Sequence, residues 1–295
     1  MEITHETVAD ITISKVRPEP AVLVEWFDDH WYKVAKDGVL HWLPSVTTKL
    51  GIVDKPGLAR WRGDVGNREA DLRVHDAGQR GKRLHWAWAT ALEGGAVVYD
   101  PWQAPVYTEE GISALKAKFG GKVAILRTQD EMWQIDKLRR QYAALNPKVL
   151  AVELQVYDLE TRDAGTIDSV EFIETGMYAV NGAKQVPLNK GIWIRDLKTG
   201  NWVGDEARYQ TAKYLAMYER QYGVKCAGTL ITHTSASTKK GIAGLGTYDR
   251  TREQVYDEDL PMYHKIAAVW DATHKDDQPE TFQFPSVITL NGWSE

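Results

Sequence analysis

A chain of 295 residues with 43% hydrophobic content can bury a sizeable core, as one large domain or two closely fused ones. Its single cysteine, Cys226, excludes an internal disulfide and a four-cysteine iron–sulfur cluster, and no apolar run approaches membrane-spanning length. The formal net charge of −5 does not advertise a nucleic-acid binder, so any such role must rest on how the charges are distributed.

In chain order, Val22 to Trp42 reads as a hairpin turning near Lys36-Asp-Gly38, followed by helices through about Ala91. Within them Arg60, Arg62, Arg68, Arg73, Arg80, Lys82 and Arg83 are interleaved with Trp61 and followed by Trp86 and Trp88. This could form one wall of a DNA channel; a solvated helix face neutralised by Asp64, Glu69, Asp71 and Asp76 explains it equally well. His85 lies in Gly81-Lys-Arg-Leu-His-Trp-Ala-Trp-Ala-Thr-Ala-Leu92, a run of good helix formers ended by Gly94-Gly95. A lone helical histidine is more often structural than a ligand. Pro101 and Pro105 break the next stretch; helices are expected from Glu109 to Phe119 and from Thr128 to Leu145, the second ending at Asn146-Pro147. This divides the chain into an N-terminal part, residues 1–148, packed on a core of residues 149–295.

The core opens with Val152, Leu154 and Val156 alternating with Glu153, Gln155 and Tyr157, then a turn at Glu160-Thr-Arg-Asp163 and a second strand to Ile173. On that strand Asp168 shares a face with Val170 and Phe172. Met177 to Lys190, with Asn181-Gly182 at its centre, reads as a protruding hairpin. In Gly191-Ile-Trp-Ile-Arg-Asp-Leu-Lys-Thr-Gly200, Ile192, Ile194, Asp196 and Lys198 share one face, and Trp193, Arg195 and Leu197 the other. An apolar face thus ends in an acid and a base, costly to bury unless the two pair well or hold a metal; a strand end reaching solvent is the simpler explanation of that pair alone. Three neighbouring strands nevertheless each offer an acid, Glu153, Asp168 and Asp196, and adjacent carboxylates raise one another's pKa values unless a divalent cation lies among them. Oxygen ligands suit Mg²⁺ or Mn²⁺.

A helix is expected from Asp205 to Tyr222, with Gln210 and Tyr214 on one face beside Ala207, Met217 and Gln221. Cys226 to His233 reads as a strand, Lys239 and Lys240 fall in a loop that could meet phosphates, Glu253 to His274 reads as helical, and the remainder as extended. The chain contains no evident internal repeat or low-complexity tract.

Taken together, Gly165-Thr-Ile-Asp168, Asp196-Leu-Lys198 and Gln210-Thr-Ala-Lys-Tyr214, in that order, resemble the PD-(D/E)XK nuclease superfamily, specifically its RecB-like and phage exonuclease branch. The upstream Ala77-Gly-Gln-Arg-Gly-Lys-Arg-Leu-His85 is similar to that branch's histidine motif, and Leu43-Pro-Ser-Val-Thr-Thr-Lys-Leu-Gly51 to the opening segment of its phage members. The resemblance implies an α/β fold, a central mixed β-sheet flanked by helices with a restriction-endonuclease-like core and a helical N-terminal part. It implies Mg²⁺ or Mn²⁺ held by His85, Asp168, Asp196 and the backbone of Leu197, with Glu153 as a ligand or just behind one. Lys198 would orient the attacking water, and Gln210 and Tyr214 would support the site or touch DNA, as would Arg80, Lys82, Arg83, Lys239 and Lys240.

The expected function is a metal-dependent DNA nuclease, first of all an exonuclease of phage-type recombination, replication or repair, acting on DNA ends. A recombination or replication protein partner and an oligomer are compatible with it. An endonuclease of the same family is one alternative, and a non-catalytic DNA-binding or assembly protein on a nuclease-like fold is another. Without a signal-peptide pattern at Met1-Glu-Ile-Thr-His-Glu, the expected location is the cytoplasm, that of the host if the chain is viral, with no membrane partner.

Overall fold

The computed structural model describes residues 3–8, 11–16, 21–26, 29–174, 178–181, 184–234, 244–275, 277–279, 287–289 and 292–294. β1 (Ile3–Val8) and β2 (Ile11–Val16) form an antiparallel ribbon, and β3 (Val22–Trp26), β4 (Asp29–Lys36) and β5 (Val39–Pro44) an antiparallel meander. The β4–β5 turn is the expected Asp37-Gly38, both residues with positive φ. Ser45 then caps α1 (Val46–Leu50) through its Oγ, which accepts the Thr48 amide at 2.9 Å. α2 (Pro56–Val65) and α3 (Asn67–Leu92) follow. The first half of α3 is mostly exposed and carries local ion pairs, Arg73 with Glu69 and Arg62 of α2 with Asp71; its second half buries Leu84, Ala87 and Trp88.

β6 (Ala96–Tyr99) and β7 (Val123–Leu126), separated by α4 (Glu109–Lys118), form a short parallel pair that four-residue strands leave invisible to alternation analysis. α5 (Gln129–Leu145) starts in a Thr128/Glu131 capping box and ends at Asn146, which is left-handed.

The main sheet is built from β8 (Lys148–Asp158), β9 (Asp163–Ile173), β12 (Gly191–Lys198), β13 (Gly228–Thr234) and β14 (Leu245–Thr251), in the order β14-β13-β12-β9-β8. β10 (Tyr178–Asn181) and β11 (Lys184–Pro187) form a separate hairpin within the stretch expected to protrude. β12 and β13 are parallel and joined by the crossover helix α6 (Glu206–Tyr222); the other pairings are antiparallel, which makes the sheet mixed. α7 (Arg252–Gln254), a π-helical turn at Val255–Asp259 and α8 (Leu260–Thr273) come next, then a β15 (Val287–Thr289) and β16 (Gly292–Ser294) ribbon.

Helices cover the sheet. One face packs Val170, Phe172, Ile192 and Ile194 against Leu50, Tyr214, Leu215, Met217 and Tyr263 of α1, α6 and α8. On the other, Leu197 joins Leu84 and Trp88 of α3 and Leu138 of α5, while Trp193 and Leu230 pack with Leu145. The fold is therefore α/β with a mixed five-stranded sheet flanked by helices. β12 is buried along nearly its whole length, as a strand covered on both faces must be, and its two fully buried charges, Arg195 and Asp196, need internal partners. Arg195 finds Glu171 Oε2 at 2.7 Å, Gln141 at 3.1 Å and Thr232 at 2.9 Å. Asp196 belongs to the site below.

Candidate metal centre

Five elements converge at the end of β12: α3 brings His85, β8 Glu153, β9 Asp168, β12 Asp196 and Lys198, and α6 Gln210 and Tyr214. The β9–β12 ladder runs to Arg195↔Ser169; one step on, the Asp168 carboxylate accepts the Leu197 amide at 2.6 Å. The Leu197 main-chain N–H thus reaches the site, and its side chain is core. On the other side of β9, the pairs Val152↔Ser169 and Leu154↔Ile167 bracket Glu153 and Asp168, bringing those positions opposite one another. Glu153 adopts φ +48°, a left-handed conformation uncommon for a non-glycine residue and rarer within a strand, costing on the order of 1–3 kcal/mol.

Ligand atoms of His85, Glu153 and Asp168 all lie within 4.8 Å of one another, with His85 Nδ1 3.3 Å from Asp168 Oδ1. Asp196 stands beside this group but outside it, its Oδ2 2.9 Å from Lys198 Nζ. That oxygen is buried and receives no well-directed hydrogen bond, while Oδ1 accepts one from Nζ at 3.1 Å. Lys198 Nζ donates also to Gln210 Oε1 at 2.9 Å, and Gln210 Nε2 donates to the Tyr214 hydroxyl at 3.2 Å. Tyr214 in turn explains a glycine: a Cβ on Gly165 would stand 2.3 Å from the tyrosine Cε1.

The electrostatics follow from this crowding. Burial alone would lower the His85 imidazole, but Asp168, through its charge and hydrogen bond, and Asp196 outweigh it and lift the pKa to about 9. Burial pushes Glu153 up to about 7, helped by the Asp168 charge and opposed by His85. Glu153 is solvent-accessible as a residue, yet its carboxyl sits in a crowded cleft. Burial also raises Asp196 against the pull of Lys198. For Asp168, burial is outweighed by His85, the Leu197 amide and Lys198, and its pKa is lowered. Lys198 is held above its ordinary value because Asp196, Asp168 and Glu206 outweigh burial.

The donor set fits a divalent cation: one imidazole nitrogen, two carboxylates within reach of it and, alongside, the buried Asp196 Oδ2, ion-paired with Lys198 but without a directed hydrogen bond. The expected DNA contacts are placed less uniformly. Arg80 lines a cavity, with its Nε buried and without a hydrogen bond. Lys82 pairs with exposed Glu25 at 3.1 Å, and Arg83 Nε donates at 2.8 Å to Glu131, the residue of the α5 capping box, so that Arg83 ties α3 to α5. Lys239 and Lys240 lie outside the described residues.

Sequence reading overlooked His233. It sits opposite Lys198 in the parallel β12–β13 register, and its Nε2 lies 2.6 Å from the Gly200 carbonyl oxygen, fixing the loop after the lysine. The one ionisable residue in Gly228-Thr-Leu-Ile-Thr-His-Thr234 was the available signal. Two cavities adjoin the centre, and a third shares Trp202 with one of them. One of 480 Å³ is lined by His85, Trp86 and Glu153; one of 230 Å³ by Lys198, Gln210 and Trp202; and one of 1060 Å³ by Trp61, Arg80 and Trp202. Among the described residues no helix is long and apolar enough to cross a membrane. Comparison with known proteins found no matching family model and no matching curated protein.

Proposed function

We propose that the protein is a metal-dependent DNA nuclease of the PD-(D/E)XK type, hydrolysing phosphodiester bonds, and an exonuclease in the first instance. The observation that carries this reading is the meeting of His85, Glu153 and Asp168 within 4.8 Å of one another beside the Asp196–Lys198 pair. A bound Mg²⁺ or Mn²⁺ would polarise a phosphoryl oxygen and offset charge developing in the transition state. His85, Asp168 and Glu153 are the residues to hold it, with Asp196 Oδ2 available beside them. Lys198, positioned by Asp196 and Gln210, retains donor capacity to orient an attacking water, and Tyr214 fixes the Gln210 amide.

The test is digestion of end-labelled DNA in Mg²⁺ or Mn²⁺, with chelator controls and the variants Asp196→Ala and Lys198→Arg. Metal-dependent products shortened progressively from one end are expected. Asp196→Ala should abolish them, and Lys198→Arg, which keeps charge but changes reach and donor geometry, should lose on the order of 100-fold or more. Internal cuts would make the enzyme an endonuclease. Metal-independent DNA binding without products from folded wild-type protein would replace the nuclease with a binding module.

A further inference from the structure

Two exposed tryptophans stand close in sequence to residues of the metal centre. Trp86 follows His85 on α3 and is 61% exposed; Trp202 follows Lys198 by four residues and is 56% exposed. Each ring lines a cavity that also contains residues of the centre, His85 and Glu153 for Trp86 and Lys198 and Gln210 for Trp202. Trp202 also borders the 1060 Å³ cavity, where Arg80 lies, so its ring stands at the junction of two cavities. Neither ring sits on a loose segment. Trp86 is within a helix, and the loop bearing Trp202 is pinned by the His233–Gly200 contact. Along α3, Arg80 lines the 1060 Å³ cavity and Gly81 the Trp86 cavity, and at Gly81 the helix abuts β12's end closely enough that a Cβ would lie 3.3 Å from Thr199 Oγ1.

We propose that these rings are stacking platforms for unpaired bases on either side of the cleaved bond, which makes single-stranded DNA the preferred substrate. The inference deepens the nuclease reading and rests on it. Unpaired bases offer both faces to side-chain rings, whereas an undistorted duplex offers only the outer face of its terminal pair. The charges point the same way. Lys55, Arg73 and Arg80 around the 1060 Å³ cavity are balanced by Asp54, Asp76, Asp205 and Glu206, so this groove has no excess of positive charge for phosphates. Stacking must then supply much of the affinity, and binding should depend less on salt than binding by a basic groove.

The experiment measures fluorescence anisotropy of a labelled oligothymidylate and of a blunt duplex, in chelator and over a salt series. Wild type is compared with Trp86→Ala, Trp202→Ala, Trp202→Phe and, away from these cavities, Trp102→Ala. Tighter binding of the single strand is expected, weakened about 5- to 100-fold by each alanine at Trp86 or Trp202, largely restored by Trp202→Phe and unaffected by Trp102→Ala. Because the targeted rings are exposed, thermal melting should confirm that the variants fold like the wild type. Equal or tighter binding of duplex, or wild-type affinity in both alanine variants, overturns the inference. Since binding is read without metal, such a result alongside Mn²⁺-dependent cleavage removes the stacking claim alone. Tryptophan-dependent strand binding without cleavage in any metal removes the nuclease reading and leaves the rings as stacking platforms of a binding module.

Discussion

Gly165 shows at the residue scale how the motif's parts require one another. It needs no special φ; it is small because the Tyr214 ring occupies the space a side chain would take, and Tyr214 orients Gln210, which holds Lys198. Gly165→Ala should destabilise the fold by about 1–3 kcal/mol as the ring is displaced, read as a lower urea midpoint. A Tyr214→Leu change made in the same chain should recover part of that loss. If Gly165→Ala melts like the wild type, the close approach is not real. Glu153 is the contrasting residue. Alternation left it balanced between solvent and site, because no pattern of apolar residues announces a left-handed conformation in mid-strand; that backbone is set by the surrounding sheet.

At the scale of elements, β12 unites two chemistries back to back. Asp196 and Lys198 face α6 and the centre, while Arg195 faces α5 and is held by Glu171, both side chains being at most 2% exposed. Arg195→Met should cost about 3–5 kcal/mol in urea unfolding, chiefly by leaving Glu171 buried without its partner. Adding Glu171→Leu should restore much of the loss; no recovery in the double variant would show that the cost lies elsewhere. The two faces of β12 were legible in the sequence because a strand's period of two is strict, and α6 was legible from its three- and four-residue spacing. β14 was not. Leu245-Gly-Thr-Tyr-Asp-Arg-Thr251 offers almost no alternation, and its place at the sheet edge is set by pairing with β13. The β6–β7 pair was too short to read, and the β4–β5 hairpin was found without its third strand, β3.

For the molecule as a whole, the β8–β9 turn, which lies beyond Asp168 toward the C-terminal end of β12, is tied to α1 and α6 by ion pairs with buried carboxylates. Asp158, where β8 turns toward β9, meets Lys213 of α6 at 3.1 Å and Arg220 at 2.9 Å, and Lys213 and Lys49 both reach Asp163 at 3.0 Å. Burial pushes the Asp158 carboxyl up, but Lys213, Thr161 and Arg220 outweigh it and hold it below its ordinary value. The folded pKa therefore lies below the unfolded one of about 3.9. The associated stabilisation is complete above the unfolded value and is lost as pH falls through the folded one. The gap in urea midpoint between wild type and Asp158→Asn should accordingly narrow below about pH 4; a gap constant with pH would mean the charge contributes nothing. A net charge of −5 also conceals how the basic residues are used. Arg62, Arg73 and Arg83 form ion pairs within the protein, a fate that composition and spacing did not distinguish from a DNA-facing wall.

The central claim is that His85, Glu153 and Asp168, with Asp196 beside them, form a site for a divalent cation. Its most direct test is titration of Mn²⁺ into the protein, followed by electron paramagnetic resonance, for the wild type and for Asp168→Asn and Glu153→Gln. The expected result is saturable uptake by the wild type that weakens on the order of 10- to 100-fold or more in each variant. Equal uptake by all three proteins, or none by the wild type even with a DNA strand bound, would contradict it.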